Sequence, residues 1–267
     1  YKLAFGLRWE NWDSKYNDSN QESFNPSDNM NGGKISLIKN NDNSNIYFSI
    51  ARGYKQGGFN LGLDATDNSI KDSLIYDPEF LTNYEIGLSS NNNNSILNYS
   101  AVFFFSKRED QQVLISRQVD PTDPNTFSYL TQNAAEGENY GLEISSNYYV
   151  RDNLNLYANF GFLKTKIKNW ESRNDLENRA QAHAPERNFS LGANLSFMNN
   201  FYLKMDINGK SSFFYSDSHN NKSKSYQLVN ISLGYTKSNF STDIWVRNLF
   251  DEYYSTRGFF FGNEAPN

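Results

Sequence analysis

The sequence contains no cysteine, two histidines and six prolines among 267 residues. Without cysteine there is no disulfide framework and no thiolate metal site. With only two histidines and no nucleophile motif such as G-x-S-x-G, the composition argues against an enzyme, and no cofactor or metal is expected. No run approaches the ~18 apolar residues of a membrane helix. That leaves strands as a route across a bilayer, because a transmembrane strand needs only about 9–11 residues with every second one apolar. Basic residues are not in excess: the net charge is −5, which argues against a nucleic-acid partner. Hydrophobic residues make up only 37% and mean hydropathy is −0.75. Such a chain suits a thin sheet wetted on one side better than a thick interior. No targeting segment opens the chain. YKLAFGLRWENW already alternates like a strand, so the chain is expected to begin within a longer protein.

What the sequence does have is alternation, carried by 21 Phe and 18 Tyr. In Ser225–Tyr254, Val229, Ile231, Leu233 and Tyr235 share one face, opposite Asn230, Ser232 and Gly234. Phe240, Thr242, Ile244 and Val246 repeat the pattern after the polar turn 236–239, which makes a hairpin. The same signal recurs from Leu3 onward: Lys34–Lys39, Asn45–Lys55, around Tyr84–Leu88, Tyr99 to Arg117, Phe127–Tyr149 bent at Gly137, Leu154–Thr165, Phe189–Phe197 and Phe201–Ile207. Connections alternate long and short, with long ones over 13–29, 56–79, 166–186 and 216–224. About eleven strands arranged so predict an all-β fold, an antiparallel up-and-down transmembrane β-barrel. Ten residues at ~3.3 Å, tilted by about 40°, span the roughly 25 Å apolar band. Trp9, Tyr47, Tyr148, Tyr157, Tyr202, Tyr235 and Trp245 near strand ends suit the aromatic girdles of such a barrel.

Four stretches resemble the C-terminal barrel of TonB-dependent outer-membrane receptors. They are Ser49–Asn60 (SIARGYKQGGFN), Asp77–Ser89 (DPEFLTNYEIGLS), Asn133–Glu143 (NAAEGENYGLE), and Trp245–Tyr253 (WVRNLFDEY) followed by Arg257, Gly258 and Phe259. They lie in the order and spacing of that family. The resemblance implies a 22-stranded barrel filled by an N-terminal plug. It also implies location in the outer membrane of a Gram-negative bacterium, and active uptake of a scarce nutrient powered through the inner-membrane TonB complex. Ferric siderophores are the commonest substrates of that family; cobalamin, haem and sugars are others. The plug, with its TonB-engaging peptide, and the closing strand are not in the sequence. Residues 1–267 are therefore expected to be the C-terminal portion of the barrel, a partial one of about 11 strands.

A receptor of this kind needs a selective, reversible site at the extracellular mouth and no reacting nucleophile. Arg and Lys with aromatic walls suit an anionic ferric chelate. Loop alternation places Tyr54, Lys55, Lys71, Tyr76, Arg117, Trp170, Arg173, Arg179, Arg187, Tyr215 and Arg257 on that side, and Arg117, Trp170, Arg179 and Arg257 are the ligand-binding candidates. Gly57 and Gly58 read as a place where the strand leaves the rim. His183 and His219 could ligate haem iron or be ordinary loop histidines. Asp120, Asp123, Glu171 and Asp175 have no calcium-loop spacing and read as solubilising charge. Glu85 and Glu143, on polar strand faces, are expected to bond the plug or a neighbouring Arg. The rival readings are a passive porin and a soluble β-sandwich or propeller that binds carbohydrate.

Overall fold

The computed structural model describes residues 1–17, 19, 23–61, 73–90, 96–118, 122–123, 127–217 and 219–258, with backbone alone at 115–118, 127–128, 134–135 and 171–173. The chain begins with β1 (Lys2–Asp13), the short ribbon of β2 (Tyr16–Asn17) and β3 (Ser23–Phe24), β4 (Ser27–Asn40) and β5 (Ser44–Lys55). A second short ribbon, β6 (Gly58–Phe59) with β7 (Ile75–Tyr76), precedes β8 (Glu79–Ser90), β9 (Leu97–Gln118) and β10 (Phe127–Arg151). The chain continues through β11 (Leu154–Asn169), a 3-10 helix over Glu171–Leu176, β12 (Arg187–Phe197), β13 (Phe201–Lys210), β14 (Tyr226–Lys237) and β15 (Phe240–Val246).

Leaving out the two ribbons, the strands form one 11-stranded sheet in chain order, from β1 at one edge to β15 at the other. Every pairing is antiparallel. Each expected strand is present. β10 shifts register between Glu136 and Gly137, at the expected bend. The strands run further than alternation shows: β1 and β4 stay paired up to Asp13↔Ser27, reaching both ends of the stretch 13–29 expected as loop. Over Ser27–Gly33 Met30 is the only apolar residue, so backbone pairing continues without a hydrophobic period to reveal it.

The register aligns the apolar residues. Phe5, Ile35, Ile50, Tyr84, Phe105 and Tyr140 sit abreast on successive strands, as do Leu156, Ala193, Met205, Ile231 and Val246. This face is open, with Phe5 79%, Phe48 46%, Ile86 52%, Phe103 51% and Phe160 38% exposed. The Phe160 and Leu191 rows therefore lie on the outside of a single layer and do not meet in a closed interior. Serine, threonine, asparagine and glycine line the other face, where Ser36, Ser49, Ser106 and Thr165 are buried by their crowded neighbours. A Cβ at Gly192 on that face would overlap the Tyr157 ring lying across it.

The paired rows also report the tilt. The row Gly6, Lys34, Ala51, Asn83, Ser106, Asn139, Thr165 starts mid-way along the apolar run of β1. On β11 it has passed the last apolar residue, Phe162, and lies about seven residues beyond the centre of that run after six strand steps. At ~3.3 Å per residue and ~4.8 Å between strands, this is a tilt of about 40°, as barrel closure requires.

The dry packing sits at one end. Met30, Leu74, Leu130, Ile167, Trp170, Leu176 and Phe213 are buried, and all lie in the strand extensions or long connections. β9 and β10, 22 and 25 residues long, reach about 60 Å along the axis, more than twice the apolar band.

Candidate functional site

At the long-connection end, the segments that carry the family resemblance converge. The chain leaving β5 tucks Gly57 beneath the Tyr76 carbonyl, where a Cβ would sit 2.5 Å from that oxygen. Two residues on, β6 pairs with β7, and the side chain of Asn60 reaches the β10 extension. Its Nδ2 donates to the carbonyls of Ser73 and Thr131, both at 2.6 Å, and its Oδ1 accepts from Thr131 N at 2.6 Å. Asn133, on β10, does the same to Asp77: Oδ1 accepts from Asp77 N at 2.6 Å, while Nδ2 donates to the Asp77 carbonyl at 2.8 Å. That Nδ2 also donates to the Asp110 carbonyl at 2.9 Å. Gln112 completes the knot, donating from Nε2 to the Gln56 and Asp77 carbonyls and from its backbone N to Glu79 Oε2. The other Glu79 oxygen pairs with Arg108 at 3.0 Å. An amide side chain offers a donor and an acceptor on one plane, so it can replace a missing strand neighbour.

A second cluster joins the connections 170–186 and 211–225. The side chain of Arg179 is only 10% exposed. Its guanidinium donates to the Ser216 carbonyl at 2.9 Å, Asp217 Oδ1 at 2.8 Å, the His219 carbonyl at 3.0 Å and Asn220 Oδ1 at 2.8 Å. Its flat face lies 4.4 Å from the Phe214 ring centroid. Asp217 also accepts from Ala182 N, and His183 N donates to the Phe214 carbonyl.

Of the four ligand candidates, the structure brings Trp170 and Arg179 into this loop assembly. Trp170 is 4% exposed and clusters with Ile167 and Leu176 against Val113 of β9, so its ring shows no open face. Arg257 is exposed, and its neighbour Gly258 packs on the Tyr215 ring of the same assembly. Arg117 stands apart on the β9 extension, opposite Ser128; its side chain lies outside the described residues. Lys71, Asp120, Phe259 and the side chains of Glu171 and Arg173 are also outside them. His183 is exposed, and His219 Nδ1 accepts from Asn221 N. Among the described residues no three His, Asp or Glu are grouped to hold a metal.

The polar wall below the mouth is acidic and self-bonded. Glu85 accepts from Tyr47 Oη and Asn83 Nδ2, so its described partners are neighbouring neutral groups and not an arginine. Asp206 accepts from Asn208 and Asn230, and Asp243 from Tyr202. Asp28, in the extension above the apolar band, is held above the usual carboxyl range by burial, with the Asp77 charge adding to it. The roles of Asn60, Gln112, Asn133 and Asp217 were not visible in the sequence. Their partners lie 13 to 71 residues away, and no spacing links them.

Comparison with known proteins places these features in context. Residues 1–249 match the family described as TonB dependent receptor-like, beta-barrel. Among solved structures, the chain is similar to the ferric yersiniabactin uptake receptor FyuA from Yersinia pestis, with 18% identity and a TM-score of 0.73 over 99% of this chain and 39% of that one. It is also similar to the siderophore receptor PiuA from Acinetobacter baumannii, at 20% identity and a TM-score of 0.72 over 96% and 37%. The copper transporter OprC matches at 16% identity and a TM-score of 0.72 over 95% and 40%. The chain thus spans about two fifths of the length of the receptors it matches.

Proposed function

The chain belongs to the TonB-dependent receptor β-barrel family, a family of bacterial outer-membrane transport receptors, and from that premise we propose that it forms part of an active-uptake receptor for a ferric siderophore or similar metal chelate. The observation that carries this reading is the family match over residues 1–249, joined to a single-layer sheet with one apolar and one polar face. Iron is favoured because FyuA and PiuA, by their descriptions, handle ferric yersiniabactin and siderophores. In this reading residues 1–267 supply the C-terminal portion of a barrel. A plug fills the lumen, and the inner-membrane TonB complex drives release; no chemistry is performed on the ligand.

At the mouth, Arg117 and Arg257 are proposed to contact the chelate. Arg179 and Trp170 hold the loops that frame it. A guanidinium pairs with chelate oxygens in two directions at once, which suits reversible capture.

The test is uptake of radiolabelled ferric chelates by iron-limited cells. Loss of uptake on deleting the gene, and on disabling the TonB complex, is the expected result. Uptake that persists without that complex points to a passive porin. Unchanged iron uptake with lost growth on cobalamin or a carbohydrate moves the substrate class there.

A further inference from the structure

On the polar face, charge is divided unevenly along the sheet. Beside the apolar band, the polar face of β8–β12 carries Glu85 and Glu143 and, among the described residues, no lysine or arginine. Cations return on β13–β15. The register sets Lys204, Ser232 and Trp245 abreast there, with Tyr202, Gly234 and Asp243 nearer the short turn and Asp206 and Asn230 further from it. Arg247 follows Trp245 as the next residue on that face. The middle strand, β14, contributes only the short side chains of Gly234, Ser232 and Asn230 to it. The longer side chains of β13 and β15 therefore stand on either side of a trough, lined by Lys204, Asp206, Asp243, Trp245 and Arg247. The Tyr202 ring lies over Gly234 at its lower end.

Within the trough the two signs of charge are not equally available. Tyr202 donates to Asp243, and Asn208 and Asn230 both donate to Asp206, so neutral donors of the same wall occupy the carboxylates. The cations rest on rings instead. The Lys204 ammonium lies 4.9 Å from the Tyr202 ring centroid, and the Arg247 guanidinium 4.9 Å from that of Trp245. Among the described residues, neither has a carboxylate within ion-pair distance. A ring face steadies a cation without consuming its N–H donors, which stay available to an anion. Free donors beside aromatic surface suit a ligand with anionic oxygens on a partly apolar body.

We propose that Lys204, Trp245 and Arg247 form an inner binding site for an anionic metal chelate, on the luminal wall below the mouth. This deepens the uptake reading above and rests on it. The chelate released from the mouth travels along β13–β15, because the carboxylates of Glu85 and Glu143 repel it from the wall of β8–β12.

The test uses single-cysteine forms of the full-length receptor in outer-membrane vesicles. Ser232→Cys places a thiol on the trough floor, and Ser145→Cys places one beside Glu143 on the acidic wall. Each is treated with an anionic and a cationic methanethiosulfonate of similar size. The anionic-to-cationic rate ratio should be about tenfold higher at position 232, and Lys204→Gln/Arg247→Gln should abolish that difference. A thiol at position 232 closed to both reagents would show that the plug packs into the trough. That result overturns the proposal, as does an equal ratio at the two positions or a difference that survives the double substitution. In a second arm, iron-limited cells receive radioiron as ferric citrate, an anionic chelate, or as ferrioxamine B, a cationic one. Lys204→Gln/Arg247→Gln should slow uptake of ferric citrate about tenfold and leave its capture in the cold unchanged. Unchanged uptake, a parallel loss of capture, or uptake of ferrioxamine B alone overturns the inner site. Uptake of neither chelate by the parent overturns the iron-uptake reading itself, whereas a failed labelling contrast overturns this site alone.

Discussion

Both terminal nitrogens of Arg179 are used on the segment 216–220, and a ring covers its face. Arg179→Ala leaves two carbonyls and Asp217 without this partner. Discounted for the partial exposure of Asp217, the local cost is about 2 kcal/mol. Hydrogen exchange over residues 213–223 should then speed up roughly thirtyfold. Arg179→Lys should recover only part of this, since one ammonium cannot span the four acceptors. Exchange unchanged in Arg179→Ala would show the clamp to be idle. Asp28 carries a pH signature. Its folded value lies above the unfolded one of about 3.9, so its contribution favours folding below that value and is lost as pH rises through the folded one. Asp28→Asn should flatten that part of the stability–pH curve and leave the fold no weaker at neutral pH. An unaltered curve would mean that the carboxyl is solvated. Arg179 could be singled out in the sequence as a cation in a long connection. Its partners could not, because they lie about 40 residues away and two of them are backbone carbonyls, which no residue type announces.

Strands were the most legible elements. Wherever one face meets lipid and the other water, the period of two is written in the residues, as in Leu154–Phe162. Where apolar residues are too few to repeat, it is not. The extension Ser27–Gly33 pairs with β1 all the same, and the ribbons β6–β7 and β2–β3 were hidden inside presumed loops. Close packing between elements was hidden too. Gly192 is occupied by the Tyr157 ring from β11, whereas a Cβ at Gly6 meets nothing within 4 Å. Gly192→Leu should therefore cost about 1–3 kcal/mol and lower the yield of folded barrel, while Gly6→Ala should be neutral. Thermal unfolding of the two variants in detergent checks this. Equal melting temperatures would show that the ring has another place to go.

For the molecule as a whole, the decisive property is which face meets lipid. Leu191 lies mid-band beside Ala158 and Ile207, and Ser190 points the other way. Leu191→Arg should cost about 2–4 kcal/mol and deplete the protein from the outer membrane, whereas Ser190→Asn should be tolerated. A normal level of Leu191→Arg in the membrane fraction would contradict the assignment. The sheet also ends in two edges, β1 and β15, each with a strand neighbour on one side only among the described residues. Backbone groups left unpaired in lipid cost several kcal/mol each, so the proposed remainder of the barrel has to close against both. Orientation has a simple readout, because the chain holds no cysteine. Thr122→Cys should react with an impermeant maleimide on intact cells, and Asp152→Cys only after the membrane is opened; the reverse would invert the barrel.

The length of β9 and β10 has an effect of its own. At about 60 Å against an apolar band of roughly 25 Å, the two strands form a wall that stands well clear of the hydrocarbon on the long-connection side. In the receptor proposed above, that wall would admit a small chelate at its foot and hold a folded carrier protein off at its crest.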